Sequence, residues 1–451
     1  MSHTPRAHGG RVALVATALL GPTSCATLPD VVPDVGASKP IEFETMDGSL
    51  VPENLRAHLV YEQAVNPASP LVLGNKVTLL QNGPATHEAM FAAIRTATDH
   101  VNLETYIFDA GEVGQQFADL LLERQAAGVR VNVLYDSVGG LMTPQSFFDE
   151  LRAGGIQVLE FNPVNPLTEN RKTWLMNNRD HRKQLVVDGR VAFIGGVNIS
   201  DSYASSPAGK RSAPKGEQGA TDEGWRDTHV QIEGPVVAEF QKLFMETWAR
   251  QKGPPLDGNA YFPELQPVGQ EIVRAIGSVA EDEESPIYLT IVSAISRAER
   301  EVHLTVAYFA PDPELLGALM DTARRGVSVK LVLPSHTDSW AIFHLGRSYY
   351  TKLLRAGVEI HERHGAVMHA KTAVVDGAWS TIGSSNLDMR SFLHNDEINA
   401  VVLGRVFAMQ MDAMFAADLA ESRQILLEEW EGRPLSLRVK ERVARLGAYW
   451  L

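Results

Sequence analysis

The sequence predicts an α/β protein made of two similar halves, each a mostly parallel mixed sheet flanked by helices, packed pseudo-symmetrically around one active site. Two observations predict this architecture. Residues 181–198 and 369–386 carry His, Lys, Asp, Gly, Ile, Gly and Asn at the same internal spacing, at a constant offset of 188 positions. Short apolar runs also alternate with helical patterns in both halves, which is typical of α/β layers.

The elements come in the same order in both halves. An amphipathic helical segment precedes a buried strand, a helix, a second strand, a helix with a third strand, and then the His-Lys segment. In the first half these elements are expected at 87–98, 101–108, 114–128, 127–136, 151–160 and 181–198. In the second half they are expected at 289–300, 302–309, 314–326, 325–334, 354–362 and 369–386.

Composition divides the chain further. Prolines and an acidic run mark residues 253–285 as a link, and residues 204–223 are apolar-poor and predict a mobile surface loop that the second half lacks. The predicted segments are an export or lipoprotein-like signal (1–25), an N-terminal extension (26–75), a first domain (76–252), a linker (253–285), a second domain (286–430) and an amphipathic tail (431–451).

The N-terminal segment has the layout of a bacterial export signal. Arg6 and Arg11 precede an apolar run from Val12 to Leu20, which is far shorter than the roughly 20 residues that span a bilayer. Cys25 follows in the position of a lipoprotein cysteine, although Pro22 stands where such signals usually place Leu. Lipidation at Cys25, cleavage as a plain export signal and an ordinary cytoplasmic tail therefore all remain open, with a membrane-associated place in the cell envelope expected.

Charge and cysteine content exclude several classes of protein. The formal net charge of −14 makes unspecific binding of a nucleic acid unfavourable. Cys25 is the single cysteine, so the chain forms no internal disulfide and no thiolate metal cluster.

The repeated segment brings a histidine and a lysine to one pocket. His181 and Lys183 are two residues apart, as are His369 and Lys371, so on an extended strand both side chains of a pair emerge on the same face. Asp188 and Asp376 each begin an Asp-Gly turn, where they are expected to orient a neighbour or to make a structural hydrogen bond.

Two asparagines complete the repeated set. Asn198 and Asn386 follow the second strand of each hairpin and would bring amide donors back to the pocket.

These residue types suit phosphoryl transfer. Lysine charge and asparagine donors hold a phosphoryl group, one neutral imidazole attacks phosphorus, and the other, protonated, gives its proton to the departing oxygen. The candidate catalytic residues are His181, Lys183, Asp188, His369, Lys371 and Asp376, and the candidate phosphate-binding residues are Asn198, Asn386, Lys183 and Lys371. This scheme requires no metal and no other cofactor.

The double His-x-Lys-x4-Asp pattern resembles the phospholipase D superfamily. GGVNISDSY and GSSNLDMRSFLHNDEINAVV, which follow the two motifs, look like its cardiolipin synthase branch. The resemblance covers about residues 85–430. It implies two phospholipase D-type halves around one site, and a phosphatidyltransferase that works through a phosphohistidine on phosphatidylglycerol-like anionic phospholipids at a membrane surface.

The resemblance also assigns further roles. It implies that a carboxylate downstream of each motif orients the histidine of that motif, which points to Asp227 for the first half and Glu397 for the second. It implies that His181 is the nucleophile and His369 the general acid and base, although the near symmetry of the halves leaves the reverse open. Both halves of the site lie in one chain, so no oligomer is needed to complete it.

Alternatives follow from the same residues. Water as the acceptor would give a hydrolytic phospholipase D or phosphodiesterase, and a degenerate site would give a non-catalytic phospholipid-binding envelope lipoprotein. In the tail, Leu435, Val439, Val443, Leu446 and Trp450 recur at helical spacing beside three arginines. They predict either a terminal helix packed on its own domain or an interfacial helix that contacts anionic lipid.

Overall fold

The computed structural model describes residues 53–164, 177–207, 224–280, 282 and 284–447. The predicted signal with Cys25, residues 208–223 of the predicted loop and Trp450 lie outside these ranges. The described strands are β1 (Val72–Gln81), β2 (His100–Thr105), β3 (Arg130–Asp136), β4 (Gln157–Phe161), β5 (Arg179–Asp180), β6 (Lys183–Val187), β7 (Val191–Gly195), β8 (Thr228–Glu233), β9 (Glu271–Ser278), β10 (Glu301–Val306), β11 (Phe309–Ala310), β12 (Ser328–Pro334), β13 (Glu359–Arg363), β14 (Lys371–Val375), β15 (Trp379–Gly383), β16 (Leu387–Asp388), β17 (Asn395–Leu403) and β18 (Ser422–Ile425).

Helices fill the connections between these strands. They are α1 (Glu53–Val65), α2 (Asn82–Arg95), α3 (Glu112–Ala126), α4 (Gln145–Ala153), α5 (Val237–Arg250), α6 (Pro286–Arg297), α7 (Pro313–Arg324), α8 (Trp340–Arg347), α9 (Tyr350–Ala356), α10 (Met389–Leu393), α11 (Arg405–Ala420), α12 (Leu427–Glu431) and α13 (Leu435–Arg445). Within the described ranges no helix has both the length and the apolar character needed to cross a bilayer.

One continuous sheet runs through both halves. Its order is β18-β13-β12-β10-β14-β15-β17-β9-β1-β8-β7-β6-β2-β3-β4, with β5 attached to β17, while β11 and β16 form a separate pair. The two halves meet where β9 and β1 pair as antiparallel strands. The prediction of two similar α/β halves is confirmed.

The sheet is mixed, but it contains fewer parallel pairs than expected. Only β2-β3-β4 and β10-β12-β13 are parallel along its main path, because helices cross over between these strands. The hairpin strands β6-β7 and β14-β15, joined by tight turns, are antiparallel to each other and to both neighbours. The alternation of strands and helices predicts mostly parallel pairing, whereas the Asp-Gly turns reverse the chain direction in the two hairpins and make their strands antiparallel.

Helices cover both faces of the sheet. In β6, Leu185 and Val187 belong to the core under α2, α3 and α4, whereas Val186 belongs to the core under α5 and α11. This alternation places the continuous apolar run of the motif between two helical layers.

Two predicted boundaries are wrong. Residues 271–278 of the predicted linker form β9, a largely buried strand in the middle of the sheet, because EIVRAIGS is apolar enough to be buried despite the nearby prolines. Strand β1 begins at Val72, within the predicted N-terminal extension.

The described part of the N-terminal extension is built into the second half. Leu59 of α1 belongs to the core of that half. Glu62 forms a buried ion pair with Arg274 at 3.0 Å and accepts a hydrogen bond from Trp379 at 2.5 Å. Helix α1 therefore packs the chain that precedes β1 against the core of the second half.

Candidate active site

The repeated segment forms the same structure twice. Lys183 and Lys371 begin β6 and β14, and each Nζ donates a hydrogen bond to the carbonyl oxygen of the histidine two residues earlier, at 2.5 Å in both halves. Both lysines and both histidines are buried or nearly so. The local geometry thus brings the imidazole and the ammonium of each motif to one end of its hairpin, as the spacing predicted.

The two aspartates of the motifs lie at the other end of the hairpins. Asp188 accepts hydrogen bonds from the backbone nitrogens of Thr98, Asp99 and His100 at 2.8–2.9 Å. Asp376 binds the backbone nitrogens of residues 299–301 in the same manner. Each has a positive φ, 53° and 55°, that suits its turn. Their assignment as catalytic residues is corrected, because each aspartate follows the last residue of the five-residue strand that its lysine begins.

The histidines and their carboxylates are paired across the two halves. Nδ1 of His181 lies 3.0 Å from Oε1 and 3.1 Å from Oε2 of Glu397. Nδ1 of His369 lies 2.7 Å from Oδ2 of Asp227. The expectation that each carboxylate serves the histidine of its own motif is therefore wrong.

The backbone explains this exchange. The amide of His181 donates to the carbonyl of Asp396 at 2.9 Å, beside the parallel pair formed by β5 and β17. The amide of His369 donates to the carbonyl of Arg226 at 2.8 Å, where Arg226 and Met368 form an isolated parallel bridge. In each case the residue just before the carboxylate pairs with the histidine segment of the other half. Each carboxylate therefore lies next to the histidine of the opposite motif.

Different groups support the two carboxylates. The Ser384 hydroxyl donates to Glu397, and Asn395 Nδ2 donates to it at 3.2 Å. The offset of 188 places Gly196 at the position of Ser384, and a Cβ there would lie 2.2 Å from Oδ1 of Asp227. Close approach of the backbone to Asp227 therefore excludes a serine in the first half.

Tyr203 belongs to the site, although the sequence analysis missed it. Its hydroxyl lies 3.0 Å from Nδ1 of His369 and accepts a hydrogen bond from Asn198 Nδ2 at 3.2 Å. The offset relates Tyr203 to Ser391, so no repeat marked it. Trp225 lies 5.2 Å from the ring of His369, which places both described ends of the loop between β7 and β8 beside this histidine.

The predicted phosphate-binding asparagines are both buried. Asn198 is held by Tyr203 and by the backbone nitrogen of Ile107, which donates to Oδ1 at 3.2 Å. Asn386 donates its backbone nitrogen to Ser391 Oγ at 3.3 Å, while its buried Oδ1 has no hydrogen-bond partner in the described part of the chain.

Two tyrosines flank the histidine-lysine pairs. The ring of Tyr106 lies 5.1 Å from the ring of His181 and 5.1 Å from Nζ of Lys183. Tyr308 occupies the equivalent place, 6.2 Å from His369 and 5.9 Å from Nζ of Lys371. Aromatic faces thus contact both ammonium groups and favour their charged form.

Burial sets the protonation of the site. It lowers the pKa of Lys183 to about 7 and that of Lys371 to about 8, with Glu397 and Asp227 opposing the shift. Burial also lowers the pKa of His181 to about 4, and Glu397 again opposes it. Burial alone would raise the pKa of Glu397, but its contacts with His181, Lys183 and Ser384 lower it to about 2.

The two motifs also influence each other electrostatically. The Lys371 charge contributes to the lowered pKa of His181, and the Lys183 charge contributes to the lowered pKa of His369. The histidines, lysines and carboxylates of both halves therefore form one charge cluster with alternating signs. Such a cluster can hold a negatively charged group between a neutral imidazole and a second imidazole able to carry a proton.

Comparison with known proteins finds the same family in both halves of the chain. The family model described as "Cardiolipin synthase, PLD-like domain" matches residues 90–207 and 291–419, one stretch in each half. A cardiolipin synthase of Geobacillus sp. (strain WCH70) is 35% identical over 381 residues, covering 84% of this chain and 73% of that protein. A cardiolipin synthase A of Pseudomonas putida is 36% identical over 383 residues, covering 84% and 75%.

A solved structure shares the fold. The phosphatidylserine synthase of Haemophilus influenzae Rd KW20 superposes with a TM-score of 0.62 at 12% identity, covering 89% of this chain and all of that one. The resemblance drawn from the two motifs is confirmed: the protein belongs to the phospholipase D-like cardiolipin synthase family.

Proposed function

We propose that the protein is a phosphatidyltransferase of cardiolipin synthase type, which moves a phosphatidyl group from one phospholipid to another through a phosphohistidine. One observation carries this proposal. Two buried histidines, each bonded through Nδ1 to a carboxylate of the opposite half, lie in one charge cluster with two buried lysines.

His181 is assigned as the nucleophile. A carboxylate can only accept a hydrogen bond, so Glu397 holds the proton of His181 on Nδ1 and leaves the lone pair on Nε2. A pKa of about 4 keeps this imidazole neutral near pH 7. In the first step Nε2 of His181 bonds to phosphorus and the bond from phosphorus to the departing alcohol oxygen breaks.

His369 is assigned as the general acid and base. Asp227 fixes its Nδ1, so Nε2 exchanges protons with the substrate. The bound phosphodiester brings negative charge to the site and favours protonated His369, which gives its proton to the departing alkoxide. In the second step the acceptor hydroxyl loses its proton to His369 and attacks phosphorus, and the bond between phosphorus and His181 breaks.

The lysines and asparagines are assigned to the phosphoryl oxygens. Lys183 and Lys371 each donate a hydrogen bond to the carbonyl oxygen of their own histidine, so their Nζ atoms are held in position before substrate arrives. Fixed charge needs no reorganisation when negative charge spreads over the oxygens in the transition state. Asn198, which bonds the tyrosine beside His369, and Asn386, at the same position of the second motif, are proposed to donate to the same oxygens.

The same intermediate could pass to water, which would make the protein a hydrolase. A glycerol-bearing phospholipid is the proposed acceptor, and phosphatidylglycerol, an anionic lipid, is the proposed donor. The protein is proposed to act on lipids at the membrane surface of the cell envelope, with each chain carrying a complete site.

Incubation with phosphatidylglycerol tests the proposal. Transfer yields cardiolipin and glycerol, hydrolysis yields phosphatidate and glycerol, and a non-catalytic binding protein yields none of these. Mass spectrometry of all three products distinguishes the outcomes, and only cardiolipin formation supports the transferase. His181→Ala and His369→Ala are the matched controls, because each is expected to abolish turnover without unfolding the protein.

A further inference from the structure

The C-terminal helix α13 packs on the protein with one side and leaves the side that carries most of its apolar residues exposed. Glu441 and Ala444 are its buried residues. Leu435, Val439, Val443 and Leu446, which recur along one face, are between 52% and 88% exposed. Terminal helices normally bury such a strip against their own domain, so this face is free for another partner.

Arginines stand beside the exposed strip. Arg438, Arg442 and Arg445 line an open cleft of about 470 Å³ next to α13. The other two arginines of the cleft are paired with carboxylates, Arg355 with Glu431 at 2.6 Å and Arg433 with Glu441 at 2.7 Å.

The first three arginines give this surface an excess of positive charge. They have no carboxylate partner among the described residues, and Arg442 has no hydrogen-bond partner there either. This excess stands out against the net charge of −14 of the whole chain. The cleft therefore suits an anionic group.

The buried side of α13 packs on a segment that leads to the active site. Ala444 of α13 packs with Leu345 of α8 and Ala310 of β11. Ala310 lies two residues after Tyr308, which flanks His369. Tyr308 donates a hydrogen bond to Asp338 at 2.6 Å, and Trp340, two residues further, is 51% exposed.

The first half has exposed apolar residues in the equivalent place. Leu141 and Met142 follow β3, the counterpart of β12, and Met142 is 91% exposed. Their loop packs on the backbone of Tyr106, where Gly139 leaves no room for a Cβ against the Tyr106 carbonyl oxygen. Tyr106 flanks His181 as Tyr308 flanks His369.

We propose that α13, Trp340 and the Leu141–Met142 loop form one face that docks on a bilayer surface containing anionic phospholipid. The apolar strip enters the boundary between headgroups and acyl chains, and the arginines of the cleft contact headgroup phosphates. This docking face, which rests on the proposed function, would hold the site against the lipids on which it acts. An apolar face flanked by cations is what an interfacial helix on anionic lipid requires.

Flotation of the full-length protein with vesicles tests this proposal. One set of vesicles is phosphatidylcholine and the other is an equal mixture of phosphatidylcholine and phosphatidylglycerol. All variants carry Cys25→Ser so that an acyl chain cannot supply the binding. Replacing Val439, Val443 and Leu446 together by Gln is expected to weaken binding to both sets by about tenfold or more. Arg438→Gln with Arg442→Gln is expected to remove only the preference for the anionic set.

Two controls match these variants. Arg438→Lys with Arg442→Lys keeps the charge and should keep the preference. Val406 and Met409 are 67% and 70% exposed on α11, which begins beyond the far end of β17, about 20 Å along the strand from Glu397. Replacing them by Gln should leave vesicle binding unchanged. If the triple change unfolds α13, the single Leu446→Gln carries the same test, since this side chain is 88% exposed.

Turnover of a short-chain phosphatidylglycerol below its micelle concentration separates the two proposals. Docking variants should turn over this soluble lipid at the unsubstituted rate and lose activity only on vesicles. If the unsubstituted protein makes no product in either format, the proposed function fails while flotation still reports on docking. Unchanged flotation of the triple variant would overturn the docking face, and so would a lipid-free dimer that this variant converts to a monomer.

Discussion

Oε1 of Glu397 lies 3.0 Å from Nδ1 of His181, although 216 residues separate the two in the chain and they belong to different halves. The reciprocal pair, Asp227 and His369, is separated by 142 residues. Each histidine is therefore bonded to a carboxylate of the other half.

Glu397→Gln should lower kcat by about 10²–10⁴-fold, because an amide no longer fixes the tautomer and charge of the His181 imidazole. The loss should be similar for a phospholipid and for a p-nitrophenyl phosphodiester, since both need attack by the nucleophile. Rates for the two substrates, measured with the purified variant, check this. A defect confined to the phospholipid would assign Glu397 to the acid instead.

Asp227→Asn should slow the phospholipid reaction far more than the reaction of the p-nitrophenyl phosphodiester. His369 protonates the leaving oxygen, and a lipid alkoxide needs that proton far more than p-nitrophenolate does. Turnover of the phospholipid should therefore fall by about 10²-fold or more, while formation of the phosphoenzyme from the p-nitrophenyl substrate falls by less than about tenfold. Equal losses on both substrates would refute the crossed assignment of the two carboxylates.

Asp188→Ala and Asp376→Ala should lower the free energy of unfolding and leave kcat per folded molecule unchanged. Each change leaves three backbone N–H groups without their acceptor, at a cost of about 1–3 kcal/mol in the free energy of unfolding. Denaturant unfolding and kcat per folded molecule check the two effects separately. Asp149→Ala, at a largely exposed side chain, serves as control and should change stability little. If the variants keep their stability but lose turnover, both aspartates have a catalytic role instead.

Anion binding should weaken as pH rises. With pKa values of about 7 and 8, Lys183 and Lys371 are charged below this range and neutral above it in the unliganded protein. The Kd for sulfate, which does not titrate here, should therefore rise roughly tenfold or more between about pH 6 and 9. Binding at the upper end should take up protons, visible by calorimetry in buffers of different ionisation enthalpy. Lys183→Met should remove the part of the rise in Kd that occurs at lower pH. A Kd of the unsubstituted protein that does not change with pH would contradict the prediction.

The sequence allowed the repeated part of the site to be predicted, because duplication marks equivalent residues. Lys183 and Lys371 begin β6 and β14, and His181 and His369 stand two residues before them in both halves. The crossed carboxylates could not be predicted in the same way. Asp227 and Glu397 are 170 positions apart rather than 188, because residues 204–223 lie between His181 and Asp227 and have no counterpart in the second half. The order of the motifs therefore does not show which histidine each carboxylate contacts.

Residues without a repeated partner were missed for the same reason. Tyr203 and Trp225 stand at the ends of the inserted loop, and the second half has Ser391 where the offset would place a tyrosine. Strand β9 was not predicted for two reasons. Prolines precede it in the sequence, and EIVRAIGS has no counterpart among the repeated segments. Tertiary contacts, rather than local pattern, decide these parts of the structure.

Tyr203→Phe should shift the pH dependence of the reaction and not merely lower it. The Tyr203 oxygen lies 3.0 Å from Nδ1 of His369, and we expect its lone pair to favour the protonated ring. Its loss should lower the pKa of His369, so the basic limb of kcat/KM for a phospholipid moves to lower pH, with kcat falling by about 3–30-fold. The p-nitrophenyl substrate, which needs no acid, should show little shift. Tyr288→Phe, in the core of the second half, controls for the loss of a buried hydroxyl. Since a purely structural role would reduce rates equally at every pH, an unmoved basic limb would exclude Tyr203 from positioning His369.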